Sequence, residues 1–103
     1  MRLNNPQDFR RCFLKGKRIK NEAFVLHYVE NNVPSARLGV NIAKKKIRKA
    51  VDRNKIKRIA REVFRKQKFE GIDIVLILKN EKIFEKTSYN VLINEIFNEL
   101  IMK

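Results

Sequence analysis

The segment with the most evident chemistry is residues 49–66, KAVDRNKIKRIAREVFRK, which combines dense positive charge with a regular apolar pattern. It contains eight Lys or Arg residues and only two acids. Guanidinium and ammonium groups bind phosphate oxygens through charge-assisted hydrogen bonds, so this segment is suited to a polyanion. It is also compatible with an ordinary solvated helix whose lysines maintain solubility.

A helical projection at about 100° per residue separates the two characters of this segment. One stripe is apolar and predicts a contact with a sheet: Ile56, Ile59, Ala60 and Val63. A second face is basic: Arg53, Asn54, Lys57, Arg58, Arg61 and Arg65. Like charges four residues apart repel by a few tenths of a kcal/mol per pair, and few acids offset them here. A bound polyanion is therefore favoured over a solvated face, and Lys44, Lys45 and Lys46 just before the helix strengthen that interpretation.

The charge of the whole chain is concentrated around this helix. The net charge is +14 over 103 residues, and residues 37–66 contain 13 Lys or Arg and two acids. A membrane surface is a weaker alternative ligand, because an interfacial helix leaves its apolar face free for lipid. The longest uncharged apolar run, residues 74–78, is far shorter than a membrane span. With a single cysteine, Cys12, these features predict a cytoplasmic protein without a membrane partner.

The remaining residues do not form a recognisable catalytic arrangement. His27 is the only histidine and has no cysteine or acid at metal-ligand spacing. The three glycines are scattered, so no phosphate-cradling loop is predicted. Phe9 and Phe13 could stack on unpaired bases or could pack in a core, and periodicity leaves both open. We expect no catalytic residue and no metal site in this chain.

The elements that would position these residues follow from local patterns. Asn5-Pro6 predicts the start of a helix, and Gly16 predicts where that helix ends. Strands are predicted at residues 23–30 and 37–43, joined by a turn at 31–35 and paired antiparallel, with a short additional strand near 17–20. The basic helix covers 49–68, and a strand at 73–79 is apolar enough to be buried on both faces. A last helix is predicted over 84–102.

These elements predict one RNA-binding domain, residues 1–103, of the α+β class. The architecture is a small two-layer α/β sandwich in the order α-β-β-β-α-β-α. Each amphipathic helix has an apolar stripe that must be buried, and the sheet is the surface available for it.

The basic helix also carries a family resemblance. Residues 50–58, AVDRNKIKR, followed by Arg61-Glu62 and Phe64-Arg65, resemble the signature of the protein subunit of bacterial ribonuclease P, roughly AVxRNRxKRxxRExFR. Phe9 and Phe13 on a first helix agree with the family in order and spacing. The resemblance covers about residues 3–80.

This resemblance implies a left-handed strand–helix–strand crossover and a protein that assists a catalytic RNA. In the family, the RNA holds the Mg²⁺ ions and removes the 5′ leader of precursor tRNA, and the protein contacts both RNA and leader. Carried over by motif, the residues that contact RNA would be Lys44, Lys45, Lys46, Arg53, Asn54, Lys57, Arg58, Arg61 and Arg65. The residues that line the cleft for the leader, the "leader cleft" below, would be Phe9, Phe13, Val25 and His27.

Three departures from the family pattern affect the site. His27 stands at a strand position that is often aromatic in the family, and an imidazole stacks with less area. Lys55 stands where the family has Arg, so the charge is kept but the bidentate fork is lost. Residues 44–49 contain one extra residue or a shifted register, so the sequence leaves open which lysines match the family pair. The alternative functions are a ribosomal or other structural RNA-binding protein and a stand-alone nuclease.

Overall fold

The computed structural model describes residue 3 and residues 5–102, and within them the chain forms three α-helices and four strands. The helices are α1 (Pro6–Lys15), α2 (Ala50–Gln67) and α3 (Tyr89–Ile101). The strands are β1 (Lys17–Lys20), β2 (Phe24–Ser35), β3 (Arg37–Asn41) and β4 (Glu70–Leu78). A 3-10 helix, Glu81–Glu85, precedes α3. The α+β class, the element order and the short first strand are confirmed.

The strand order in the sheet is β1-β2-β4-β3. β2 is antiparallel to both β1 and β4, whereas β3 is parallel to β4. The predicted antiparallel pair between strands 23–30 and 37–43 is therefore wrong, because β4 lies between them. The cause is the apolar character of β4, whose residues 73–76 are fully buried and need a neighbour on each side and cover on each face.

Residues 31–35 do not form the predicted turn but extend β2. The register against β4 shifts between Glu30 and Ser35, and Ser35 then pairs with Glu70. Asn31 supports this irregular stretch, because its Oδ1 accepts from the Val33 N–H (3.1 Å) and its Nδ2 donates to the Ser35 carbonyl (3.1 Å). Asparagine side chains satisfy local backbone groups in a bulge as well as in a turn, which is why composition misled the prediction.

The helices lie on both faces of the sheet. α2 and α3 cover one face, and the predicted stripe of α2 is buried there against alternate residues of the strands, such as Leu26 and Leu76. α1 covers part of the other face, where Cys12 packs on Val75. Leu3 extends along the edge of β3, with its N–H donating to the Leu38 carbonyl (2.9 Å). Beside α1 on this face, Val25, His27 and Ile77 are only half-buried by the residues that the structure describes.

The parallel pair β3–β4 is joined through α2, as the predicted strand–helix–strand unit requires. The left-handed course of this connection stays an implication of the family resemblance. Because β3 is an edge strand, the loop that follows it and the first turn of α2 begin at that edge of the sheet. The start of the basic segment is thereby placed at the β3 edge of the sheet, and the rest of α2 lies on the face opposite α1.

Helix ends follow their capping residues. α1 begins as predicted, since Asn5 Oδ1 accepts from the Gln7 N–H at 2.9 Å. The last helix begins at Tyr89 rather than at residue 84. Ser88 Oγ caps it by accepting from the Val91 N–H (3.4 Å), and Asn80 caps the separate 3-10 helix before it. Two caps within nine residues divide a stretch whose apolar periodicity had suggested one helix.

Candidate nucleic-acid interface

The basic face of α2 points away from the core. Asn54, Arg58, Arg61 and Arg65 are exposed, and Arg53 and Lys57 are half-buried. The four apolar residues of the stripe are 9% exposed or less. One side of α2 is therefore buried in the core and the other side faces solvent, as the helical projection predicted.

Arg53 contributes to this surface indirectly. Its Nη1 donates to the carbonyl oxygens of Ile47 (2.8 Å) and Arg48 (2.7 Å), so the side chain ties the preceding loop to the start of α2. Lys49, at the cap position, gives the helix no side-chain cap. The first-turn N–H groups therefore add positive potential at the point where the basic loop meets the helix.

The three lysines before α2 differ in their surroundings. They form a turn closed by the Ala43 carbonyl, which accepts from the N–H groups of Lys46 (3.0 Å) and Ile47 (3.1 Å). Lys46 Nζ lies 3.6 Å from Glu81 Oε2, and both side chains are partly buried. Lys44 and Lys45 are exposed. Lys44 and Lys45 are therefore the two that face solvent most fully, and which lysines match the family pair stays a prediction.

The leader-cleft residues lie together on the α1 side of the sheet and the adjoining side of α1. Phe9 is half-buried over Gly39, where a methyl group would lie 2.6 Å from Cζ of the Phe9 ring. Phe13 is 44% exposed and meets His27 edge-on, with ring centroids 4.8 Å apart. Val25 is half-buried two residues before His27 on the same face of β2. Phe9 therefore packs closely on the sheet, whereas nearly half of the Phe13 side chain faces solvent. Contact of either ring with a leader stays a prediction.

His27 is held in its neutral form. Burial lowers the pKa of His27, and the positive charges of Arg18 and Lys79 lower it further. A neutral imidazole at pH 7 presents a flat ring without its own charge, which suits stacking. The positive charge at this place comes instead from Arg18, the direct partner of His27 across the β1–β2 pair.

A buried ionic cluster joins α1 to the sheet, and sequence reasoning missed it. Asp73 is fully buried and accepts from Arg37 Nε (2.8 Å), Arg37 Nη2 (2.7 Å) and Asn31 Nδ2 (2.8 Å). From α1, Arg11 Nη1 lies 3.6 Å from Asp73, and Asp8 Oδ2 lies 3.3 Å from Arg37 Nη1. The sequence did contain a signal for this cluster, because Asp73 directly precedes the apolar run 74–78 and a buried carboxylate requires a cationic or hydrogen-bonding partner.

The charges of this cluster are fixed by its contacts. Burial alone would raise the pKa of Asp73, but the hydrogen bonds from Arg37 and Asn31 and the charges of Arg37 and Arg11 outweigh it and lower the pKa below its usual value. The hydrogen bond to Asp73 raises the pKa of Arg37. The ion pair therefore stays ionised at neutral pH and holds α1, with Phe13, at a set position over the sheet.

Cys12 lies beneath the same helix and is a packing residue. Its side chain is fully buried, and its Sγ lies 3.8 Å from the Asp73 carbonyl oxygen. Burial, with the negative charge of Asp73, raises the pKa of Cys12 to about 11. The thiol is therefore protonated at neutral pH and a weak nucleophile.

The described part of the chain contains neither a metal-binding cluster nor a membrane-spanning helix. Across residue 3 and residues 5–102, no group of three or more His, Cys, Asp or Glu side chains could hold a metal ion. None of the helices in that part has the length and apolarity needed to cross a membrane.

Comparison with known proteins gives consistent matches over most of the chain. The family model for ribonuclease P matches residues 1–101. The ribonuclease P protein component of Nitrosococcus oceani is 43% identical over 81 residues, covering 77% of this chain and 68% of that protein. The one from Coxiella burnetii is 35% identical over 103 residues, covering 96% and 84%.

Solved structures agree in fold. The ribonuclease P protein from Thermotoga maritima matches with a TM-score of 0.83 and 34% identity, covering 100% of this chain and 97% of that chain. The Staphylococcus aureus ribonuclease P protein matches with a TM-score of 0.80 and 31% identity, covering 98% and 92%.

Proposed function

This chain belongs to the ribonuclease P protein family, and from that premise we propose that it holds the 5′ leader of precursor tRNA while it contacts the catalytic RNA. As a protein subunit of ribonuclease P, it is part of an endoribonuclease complex that processes tRNA. The proposal that this subunit binds the leader depends on one observation: the Phe13 ring is 44% exposed and packs edge-on against His27 on the α1 side of the sheet.

That observation supports a single-stranded ligand for a physical reason. An aromatic side chain that is 44% exposed leaves apolar surface in solvent, and stacking on a base would bury that surface. Stacking of bases on aromatic side chains contributes about 1–3 kcal/mol per base and tolerates different sequences. Leaders differ in sequence, so stacking beside a basic rim is a suitable means of holding them.

The basic face of α2 and the loop before it are proposed to contact the catalytic RNA and the leader backbone. Arg58, Arg61 and Arg65 project from the helix, and Lys44 and Lys45 project from the loop. Each phosphate contact releases counterions, so assembly should weaken steeply with salt. Lys46 is expected to contribute less, because it is already paired with Glu81.

The proposed contribution to cleavage is electrostatic and positional. The Mg²⁺ ions are held mainly by the RNA, and the protein lowers the repulsion among phosphates that must approach one another around those ions. No residue of this chain is assigned to bond making or breaking. We place this activity in the cytoplasm, consistent with the unpaired, buried Cys12.

The test is reconstitution of cleavage. The protein is mixed with a bacterial ribonuclease P RNA and precursor tRNA at low Mg²⁺, and 5′ cleavage is measured with protein, RNA or both. We expect stimulation that requires the RNA. Cleavage by the protein alone would indicate a nuclease, and absence of stimulation would indicate a structural RNA-binding protein, the alternative function.

A further inference from the structure

An open groove of about 1180 Å³ surrounds the start of β1, and we refer to it as the β1 groove. Phe13 and His27 form the end that meets the leader cleft. From there it continues past Lys17 and Arg18 to the C-terminal end of α2, where Lys68 and Phe69 line it. Alternation along β1 turns Arg18 to the α1 side of the sheet and Lys17 to the other, so the groove passes around the edge strand.

The lining has the composition of a single-stranded nucleic-acid surface. Its charged residues are Lys17, Arg18 and Lys68, and no acid among the described residues lines it. Tyr28 and Phe69 also line it, but both are half-buried and pack against the core, so the most exposed aromatic ring of the lining is Phe13. Proteins that bind unpaired nucleotides without sequence preference combine two features: cations placed along the nucleic-acid backbone and aromatic rings on which the bases stack.

Lys68 is the most informative residue of this lining. It ends α2 in the left-handed conformation, with φ 53° and ψ 46°, where glycine is the usual residue. A lysine at this position is conformationally unfavourable. The helix dipole does not require it, since Arg65 and Lys66 already place positive charge in the last turn. A cation thus lines the groove at a position whose backbone conformation favours glycine.

The topology connects the β1 groove to the proposed path of the leader. The basic loop and the start of α2 lie at the β3 edge of the sheet, and β1 is the opposite edge. A strand of RNA that begins at that loop and crosses the α1 side of the sheet over Val25 and His27 reaches Arg18, the partner of His27. The next surface along this direction is the β1 groove.

We propose that the β1 groove holds the leader nucleotides that lie 5′ of those bound in the leader cleft. This inference rests on the function proposed above, since it requires that the cleft hold a leader. It extends that function by predicting that affinity depends on leader length and on residues at the far edge of the sheet.

The test compares two precursor tRNAs, with leaders of about five and about twelve nucleotides, a difference within the site sizes of single-strand-binding domains. The holoenzyme with wild-type protein should bind the long leader several-fold more tightly. Lys68→Gly and Lys17→Ala should abolish that advantage while binding of the short leader is unchanged. For the long leader, each variant should reduce the slope of log affinity against log salt by about 0.7. Lys66→Ala, which removes the same charge two residues away at a position that does not line the groove, is the matched control.

The Lys68→Gly variant should fold normally, because glycine adopts the left-handed backbone conformation at this position without a steric cost. Its thermal midpoint should be equal to that of the wild type or higher. Equal affinity of the wild-type holoenzyme for both leaders overturns the proposal, as does a Lys68→Gly variant that keeps the full length advantage. Either result leaves leader binding in the cleft standing. If instead even the short-leader precursor binds no better than mature tRNA, the proposed function itself fails.

Discussion

Arg37→Met should destabilise the protein strongly, because it removes the main partner of a buried charge. Asp73 is fully buried, and Arg37 supplies two of its three short hydrogen bonds, at 2.7 and 2.8 Å. Breaking a buried ion pair by removing one partner costs about 3–5 kcal/mol. Asn31 at 2.8 Å and Arg11 at 3.6 Å remain, so we expect the low end, about 3 kcal/mol, which lowers Tm by roughly 15 °C for a domain of this size.

The pH dependence of this loss identifies its cause. In the wild type the pKa of Asp73 is lowered, so its carboxylate contributes stability above the unfolded pKa, and that contribution is lost as the pH falls through the folded value. In Arg37→Met burial is poorly opposed, so the folded pKa should rise above the unfolded one. The variant then gains stability as the pH falls from about 7 toward 5, and its difference from the wild type shrinks.

The assay is urea unfolding of both proteins at several pH values, followed by circular dichroism. Arg10→Met, on the exposed side of α1, is the matched control and should change stability by less than about 0.5 kcal/mol. Asp73→Leu combined with Arg37→Met should recover most of the loss, because no charge is left buried. A loss below about 1 kcal/mol, or a loss that is the same at pH 5 and pH 7, would refute the reasoning.

Three further outcomes follow from the interface. Phe13→Ala should cost about 1 kcal/mol of stability or less, since the ring is 44% exposed, yet reduce affinity for precursor over mature tRNA about tenfold; a large stability loss with unchanged affinity contradicts the stacking role. Gly39→Ala should destabilise by about 1–3 kcal/mol in thermal unfolding, because the methyl group meets the Phe9 ring at 2.6 Å; an unchanged Tm refutes that contact. Arg58→Ala should leave Tm unchanged and weaken binding of the catalytic RNA with a shallower salt slope, by about 0.9 for a duplex contact; an unchanged slope removes Arg58 from the interface.

Local signals were sufficient for most elements. Asn5 capping α1 and the 3.6-residue period of α2 are determined by residues close together in the chain, and the structure agrees with both. The continuous apolar run of β4 indicated a central strand, and residues 73–76 are indeed fully buried. The late start of α3 was missed because Ser88 competes with the apolar periodicity around it.

The pairing of the strands could not be predicted from local sequence patterns. Strands 23–30 and 37–43 are close in sequence and separated by turn-forming residues, so a hairpin was the natural interpretation. The energy that separates β2 from β3 comes from burying β4, which is contributed from more than thirty residues further along the chain. Only the assembled sheet decides which neighbour satisfies the backbone groups of each strand.

The candidate site divides in the same way. Periodicity separated the basic face of α2 from its apolar stripe, since both depend on one helix. It did not reveal that Arg53 bonds the preceding loop or that Lys46 pairs with Glu81, because these partners meet only in the folded chain. Phe9 and Phe13 share one helical face, and their different exposure is decided by Gly39 and His27 on two separate strands.

The sequence by itself determined the concentration of charge on one amphipathic helix, and with it the chemistry of an RNA partner, because a helical period and a charge imbalance are properties of neighbouring residues. Tertiary structure decided where that charge lies relative to the α1 side of the sheet and the Phe13 ring. It also decided how α1 is held there, through an ion pair between Arg37 and Asp73, which are 36 residues apart in the chain. Such contacts depend on the pairing of β3 with β4, and that pairing is governed by burial of the whole sheet.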